Sequence, residues 1–260
     1  MTKAADEPLA HAIVTGAAGA IGAAIARAVR REWPGTRLAL VDRAPCDALA
    51  TELGNAGAYA ADLRAIEQLP ALVEEIERAA PIEGLVNCAG VMHVRTVHAW
   101  DWEAARDLLA VDLLAPLRLQ DLVVRGMVER RRGAIVNVAS MAGRVALRGC
   151  AYYGASKAGL AMASEIARAD LAPHGIRVVT VYPGPVRSPL EAGARADYGG
   201  GGWFGRLAPT GDPVVLADAI VDALRRNRPR VIYPKLYGLG WAATNAARRF
   251  ALAYGPPPSA

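Results

Sequence analysis

Tyr153 and Lys157 stand at positions i and i+4 in Y-G-A-S-K, where an apolar pattern begins that continues through Leu160, Ala163 and Ile166. On a helix such positions share a face, so the Lys157 ammonium can lie beside the Tyr153 hydroxyl. A nearby cation favours phenolate over phenol, which predicts a lowered tyrosine pKa. A phenol tuned in this way can give or take a proton at an alcohol or ketone oxygen. Ser140 ends the apolar run Ile135–Ala139, which reads as a buried strand, and its hydroxyl could hydrogen-bond the same oxygen. Taken alone, Y-x-x-x-K is as well explained by an accidental pair on an exposed helix, so the rest of the chain has to decide.

A second stretch, T-G-A-A-G-A-I-G (Thr15–Gly22), follows an apolar run and opens an Ala-rich one. Glycines let a backbone approach a pyrophosphate, and the free N–H groups of a helix N-terminus favour an anion. An acid, Asp42, follows at the end of the next apolar run. A carboxylate there accepts hydrogen bonds from adenosine ribose hydroxyls and repels a 2′-phosphate. No basic residue occupies the glycine turn, and Arg43 is the one nearby candidate to hold such a phosphate. This charge argument favours NAD over NADP.

The elements that must position these residues alternate in kind. Strands are predicted at His11–Thr15, Arg37–Val41, Ala56–Ala60, from Leu85 to Asn87, at Ala134–Val138, Ile176–Val181 and Val231–Tyr233. Helical patterns fall at Ala23–Arg31, Leu49–Leu53, Leu69–Ala79, Trp100 to about Arg125, and Tyr153–Leu171, with Leu236–Tyr254 helical in part. Continuous apolar strands between helices mean an α/β fold, with a parallel sheet covered on both faces. No repeat or interdomain linker interrupts residues 1–260, so one domain is expected. Glu191–Pro209 breaks the rhythm with Gly199–Gly202 followed by Trp203 and Phe204. Poly-Gly beside aromatics, directly after a strand's C-terminal end, predicts a mobile substrate loop over about 189–211. A C-terminal extension runs over about 234–260.

Composition bounds the rest. The chain has 260 residues, 53% hydrophobic and 21% charged, which excludes disorder. Cys46, Cys88 and Cys150 are odd in number and widely spaced; they form no metal pattern, and a reduced, cytoplasmic compartment is expected. The polar start excludes a signal peptide, and no apolar run is long enough to span a bilayer. Net charge is +5, but no Lys/Arg block with interleaved aromatics points to nucleic acid.

With these motifs together, the chain resembles the short-chain dehydrogenase/reductase family of single-domain type, over about His11 to Tyr233. Thr15–Gly22 resembles the family's T-G-x-x-x-G-x-G, with Gly16 and Gly22 in place and Gly19, Ala20 and Ile21 between them. Asp62-Leu63 resembles the pair that holds the adenine ring. Asn87-Cys88-Ala89-Gly90 resembles N-N-A-G, and Pro183-Gly184-Pro185-Val186-Arg187-Ser188 resembles the P-G-x-V-x-T segment that holds the nicotinamide carboxamide. Ser140, Tyr153 and Lys157 match the catalytic serine, tyrosine and lysine. The resemblance implies a Rossmann-like doubly wound sheet and an NAD-dependent oxidoreductase interconverting a secondary alcohol and a ketone. In the family the tyrosine is the general acid/base, the lysine binds ribose and lowers the tyrosine pKa, and the serine polarises the substrate oxygen. An NADPH-dependent ketoreductase and a non-catalytic nucleotide sensor on the same fold are the alternatives.

Three departures stand out. Ala20 replaces a family glycine, and Gly19 beside it could supply the lost freedom. Cys88 replaces an asparagine and reads as small buried filling. Asp112, in V-D-L, takes the place of a helix-bending asparagine that completes a water-mediated proton relay to the lysine; an ionised Asp accepts hydrogen bonds but cannot donate. Its plain alternative is a local irregularity in the long helix. Met92, Met141, Leu147, Cys150 and Tyr182 are expected to face the substrate cleft and suggest an apolar substrate. Tyr152 is expected to pack or line the pocket, while His93 and His98 follow N-C-A-G in a loop near it. The two long helices resemble those that pair subunits in the family, implying a homodimer or homotetramer. Basic and aromatic residues of the C-terminal segment could touch an anionic membrane surface, although packing on a neighbouring subunit or roofing the substrate cleft explains them better.

Overall fold

The computed structural model describes residues 9–198 and 209–242. Seven parallel strands form one sheet in the order β3-β2-β1-β4-β5-β6-β7. They are β1 (His11–Thr15), β2 (Arg37–Asp42), β3 (Ala56–Ala60), β4 (Gly84–Asn87), β5 (Gly133–Val138), β6 (Ile176–Pro183) and β7 (Arg230–Tyr233). The helices between them are α1 (Ala20–Glu32), α2 (Asp47–Leu53), α3 (Leu69–Glu77), α4 (Trp102–Leu109), α5 (Ala115–Arg130), α6 (Ala151–Leu171), α7 (Pro189–Asp197), α8 (Pro213–Arg225) and α9 (Tyr237–Ala242).

Strand side chains alternate between two apolar layers, as a pleat requires. Val14, Leu38, Leu40, Val136 and Val179 pack with Ile25 and Val29 of α1 and Leu216 and Ile220 of α8. Ile13, Val41, Leu85, Ile135 and Val178 pack with Val73 and Ile76 of α3 and Leu119, Val123 and Met127 of α5. Both faces are therefore covered, which is why the strands read as unbroken apolar runs. The strand order reverses between β1 and β4, and the crevice at their C-terminal ends is where a doubly wound sheet receives a ligand.

Three elements depart from the expectations above. The stretch expected as one helix from Trp100 to about Arg125 is two helices joined by a π-helical turn, Ala110–Leu114, and it runs on to Arg130. Pro213–Arg225 is a helix that the sequence reading passes over. Pro189–Asp197, expected within a loop, is helical and capped by Ser188, whose Oγ accepts from the Glu191 amide at 3.1 Å. Gly199–Gly202, Trp203 and Phe204 lie outside the described residues, as does most of the C-terminal extension beyond Ala242.

Candidate active site

The glycine turn owes its shape to contacts that leave no room for side chains. Gly16 has φ +69°, and a Cβ there would lie 2.7 Å from Ala89 Cα; one on Gly22 would lie 2.0 Å from Gly16 O. Gly19 uses no special freedom, since its φ of −77° suits any residue. Its place rests on space, because a Cβ would stand 3.2 Å from Gly16 O. The suggestion that Gly19 compensates for Ala20 by flexibility is corrected accordingly. Thr15 Oγ1 accepts from the amides of Cys88 (3.0 Å) and Ala89 (3.2 Å), tying the turn after β4 to the end of β1.

Asp42 closes this end of the site. Its Oδ2 accepts from the Ala18 amide and its Oδ1 from the Ala44 amide, both at 3.0 Å. Asp62 accepts from the Arg64 amide at 3.0 Å and from its guanidinium, which holds the Asp62 carboxyl below its usual range. Arg64 also reaches Asp107 on α4 at 3.0 Å. Asn87 lies under the site and donates to Asn137 Oδ1 at 2.8 Å.

At the inner end, Ser140 follows β5 and its Oγ accepts from the Ala142 amide at 3.1 Å. Lys157 Nζ lies 3.2 Å from Asp112 Oδ2 and donates to Val138 O at 3.3 Å. The Asp112 contact is a buried ion pair. Asp112 Oδ1 accepts from the Val91 amide at 2.7 Å. The turn that carries Asp112 is the π-helical one, a kind of irregularity that recurs at functional sites.

The expected fall in the Tyr153 pKa is not what the surroundings produce. Burial, the largest influence, raises it, and the Asp112 carboxylate adds to the rise; Lys157 and a hydrogen bond from Ser140 pull it down but do not win. Burial likewise pushes the Asp112 carboxyl up, against Lys157 and the Val91 amide. At Lys157 burial acts to lower the pKa, but Asp112 and Tyr153 together outweigh it, so the ammonium is held above its usual value.

Gly16, Gly19, Ala20, Ile21, Gly22, Asp42, Arg43, Asp62, Leu63, Ala89, Gly90, Ser140, Tyr153, Lys157, Pro183, Gly184, Val186 and Ser188 all line one cleft of about 1450 Å³. Asn87 and Asp112 stand behind its wall. The cleft exceeds what a single drug-sized ligand needs, so a dinucleotide and a second molecule can share it. The residues fit a nicotinamide dinucleotide. The glycine turn and the start of α1 form a cradle that any Cβ at Gly22 would fill, and Asp42 lies beside it on the same wall.

Met92, Met141 and Leu147 face the cleft as expected, and so does His93. Two other expectations are corrected. Cys150 is buried behind the wall with its Sγ 3.2 Å from Tyr198 Oη, and Tyr182 is buried with its hydroxyl donating to Glu165 at 2.8 Å. Tyr152 packs edge-on against Trp100. Cys88 packs against the core and also lines the cleft, where burial pushes its thiol up to about 12. The sequence reading did not single out Arg64 or Tyr198 as lining residues, and it had Tyr237 only within a segment that packs on a neighbouring subunit or roofs the cleft. Arg64 directly follows the Asp62-Leu63 pair. Tyr198 and Tyr237 reach the cleft only through the folding of α7 and α9, which no local pattern reveals.

Residues 10–199 match the family described as short chain dehydrogenase. The ketoacyl reductase HetN of Nostoc sp. (strain PCC 7120) is 32% identical over 228 residues, covering 85% of this chain and 77% of that protein. A solved short-chain dehydrogenase from Streptomyces avermitilis superposes with a TM-score of 0.80 at 26% identity, over 95% of this chain and 96% of its own. One from Sphingobium yanoikuyae, in complex with NADPH, does so with a TM-score of 0.78 at 29% identity, over 96% and 98%.

Proposed function

The chain belongs to the short-chain dehydrogenase/reductase family of NAD(P)-dependent oxidoreductases, and from that premise we propose that it interconverts a secondary alcohol and a ketone of apolar character, using NAD. The observation that carries this reading is the convergence of Ser140, Tyr153 and Lys157 at the inner end of a cleft whose outer end is the glycine turn and Asp42. When bound, the nicotinamide supplies or accepts the hydride at the carbinol carbon. The chain's part is to place a proton. Tyr153 Oη gives its proton to the carbonyl oxygen in reduction and takes it back in oxidation, while Ser140 Oγ–H holds that oxygen. Lys157, with Asp112 and Val138 O behind it, keeps a donor for the ribose.

On the cofactor side, the start of α1 and Gly16–Gly22 would hold the pyrophosphate. Asp42 would accept from the ribose hydroxyls, Asp62 and Leu63 would flank the adenine, and Asn87, Ala89 and Gly90 would support the central turn. Pro183, Gly184, Val186 and Ser188 would face the carboxamide. Asp42 is the support for NAD, because a 2′-phosphate would sit against its carboxylate. The NADPH in the Sphingobium structure and the exposed Arg43 support the other cofactor. Met92, Met141 and Leu147 support the apolar substrate, and the segment about 189–211 would close over it.

A homo-oligomer and a cytoplasmic location complete the proposal; Cys46, Cys88 and Cys150 are free thiols, as a reducing compartment would keep them. Peripheral membrane contact has weaker support. Arg225, Arg226 and Arg228 pair with Asp222, and Arg230 stacks over Trp241, so these four charges are engaged within the chain, while Arg248 and Arg249 lie outside the described residues.

The test is a screen of secondary alcohols and ketones with both cofactors, read by the absorbance of reduced nicotinamide. Turnover with NAD exceeding that with NADP is expected. Turnover preferring NADP would overturn the charge argument, and cofactor binding without turnover on any compound would favour a nucleotide sensor.

A further inference from the structure

The group that stands against Lys157 from behind the cleft is a carboxylate, where the family pattern has a neutral amide. Asp112 is wholly shielded from solvent and Lys157 nearly so. Their contact is direct, at 3.2 Å, and in such surroundings two opposite charges interact strongly. Three features hold it in place. The π-helical turn Ala110–Leu114 carries Asp112, and the Val91 amide grips its Oδ1. Gly90 leaves the space, because a Cβ there would lie 3.3 Å from Lys157 Nζ and 3.5 Å from Asp112 Oδ2.

We infer that Asp112 is a positioning residue that grips Lys157 from behind and withdraws its charge from Tyr153, so that the phenol is the resting form of the site. The inference rests on the oxidoreductase reading above for its consequence, but not for its physics.

The charged and titratable groups around the three residues bear this out. Tyr153 feels Lys157 one turn along α6, Asp112 from the π turn, Ser140 from the end of β5 and Cys150 from the start of α6. Lys157 feels Asp112, Tyr153 and Cys88 at the end of β4. Asp112 feels Lys157, the Val91 amide and, more weakly, His93 from the loop after β4. Lys157 pulls Tyr153 toward phenolate, and Asp112, in direct contact with that ammonium, offsets part of the pull. Burial adds to the offset and favours the neutral phenol.

In the reaction, ketone reduction uses the phenol and alcohol oxidation uses the phenolate. Both limbs of the pH–rate profile are therefore displaced to alkaline pH, with reduction persisting to higher pH and oxidation beginning later.

The test titrates Tyr153 directly and needs neither substrate nor cofactor. The ultraviolet absorbance of tyrosinate is followed against pH in the wild-type protein and in Tyr153→Phe, and their difference isolates Tyr153. The same subtraction is made between Asp112→Asn and Asp112→Asn/Tyr153→Phe. The expected result is a downward shift of the Tyr153 midpoint in Asp112→Asn. An unchanged or raised midpoint would overturn the inference, and so would a wild-type midpoint below the ordinary tyrosine value of about 10. Circular dichroism checks folding; if Asp112→Asn does not fold, Asp112→Ser is read in the same way, and the wild-type midpoint stands as a test by itself. Should no alcohol or ketone turn over, the oxidoreductase reading fails while this titration still decides the role of Asp112.

Discussion

At the scale of single residues, the proposed proton transfer rests on one hydroxyl, that of Tyr153. Tyr153→Phe removes one hydroxyl from an otherwise unchanged helix, so turnover should fall by about 10²–10⁴-fold while cofactor binding persists. Near-normal turnover, measured by nicotinamide absorbance, would take Tyr153 out of its role and move attention to Tyr152. Asp42→Ala should relax discrimination toward NADP, since Arg43 remains on the cleft wall; kinetics with both cofactors decide it, and an unchanged ratio would mean that Asp42 does not set the choice. The identities of these groups were legible because their types and spacing are local facts of the chain. The direction of the tyrosine's pKa was not. It depends on burial and on Asp112, whose position in the middle of a π-helical segment brings it to Lys157 from another element.

At the scale of elements, turns that exclude side chains are the most exacting parts of the site. Gly22→Ala would drive a methyl group into Gly16 O, where no flexible side chain can give way. Overpacking of this kind costs about 1–3 kcal/mol, so the midpoint of thermal unfolding should fall and cofactor affinity with it. A variant with wild-type affinity in a fluorescence titration would show that the turn can open without cost. The strands were legible almost to the residue, because a sheet buried on both faces leaves unbroken apolar runs bounded by polar turns. The helices were less so. Pro213–Arg225 has its start marked by Asp212, which accepts from the Val214 amide at 2.8 Å, and by Pro213, and its apolar face is plain once the strands beside it are known. The π turn inside the long helix is marked only by Asp112, a buried polar residue within the apolar run Ala110–Leu114, and that residue does not by itself reveal the change of hydrogen-bond pattern.

Across the whole molecule, charge and apolar surface make two further predictions. His11 is fully buried on β1 with its Nδ1 2.8 Å from Ala80 O, and burial lowers its pKa below the ordinary value of 6.5. Its Nε2 has no partner among the described residues. The unfolded chain therefore binds a proton there before the folded one does, so stability present above about pH 6.5 should be lost as pH falls toward the folded value. Thermal midpoints measured against pH should fall less steeply for His11→Gln, and parallel curves would assign the acid sensitivity elsewhere. The second prediction concerns assembly. Trp102 (61% exposed), Leu114 (48%), Met162 (61%) and Ile166 (53%) project from α4, the π turn and α6, which pack on one another. Exposed apolar side chains on helices that pack on one another are costly to leave in water and suit a self-complementary contact about a twofold axis. A charge placed in such a contact would have to be buried in both copies. Ile166→Glu should therefore lower the molar mass measured by light scattering, and its exposed position on the folded monomer should leave the circular dichroism unchanged. An unchanged mass with intact folding would place the subunit contact on another face and leave these helices to solvent.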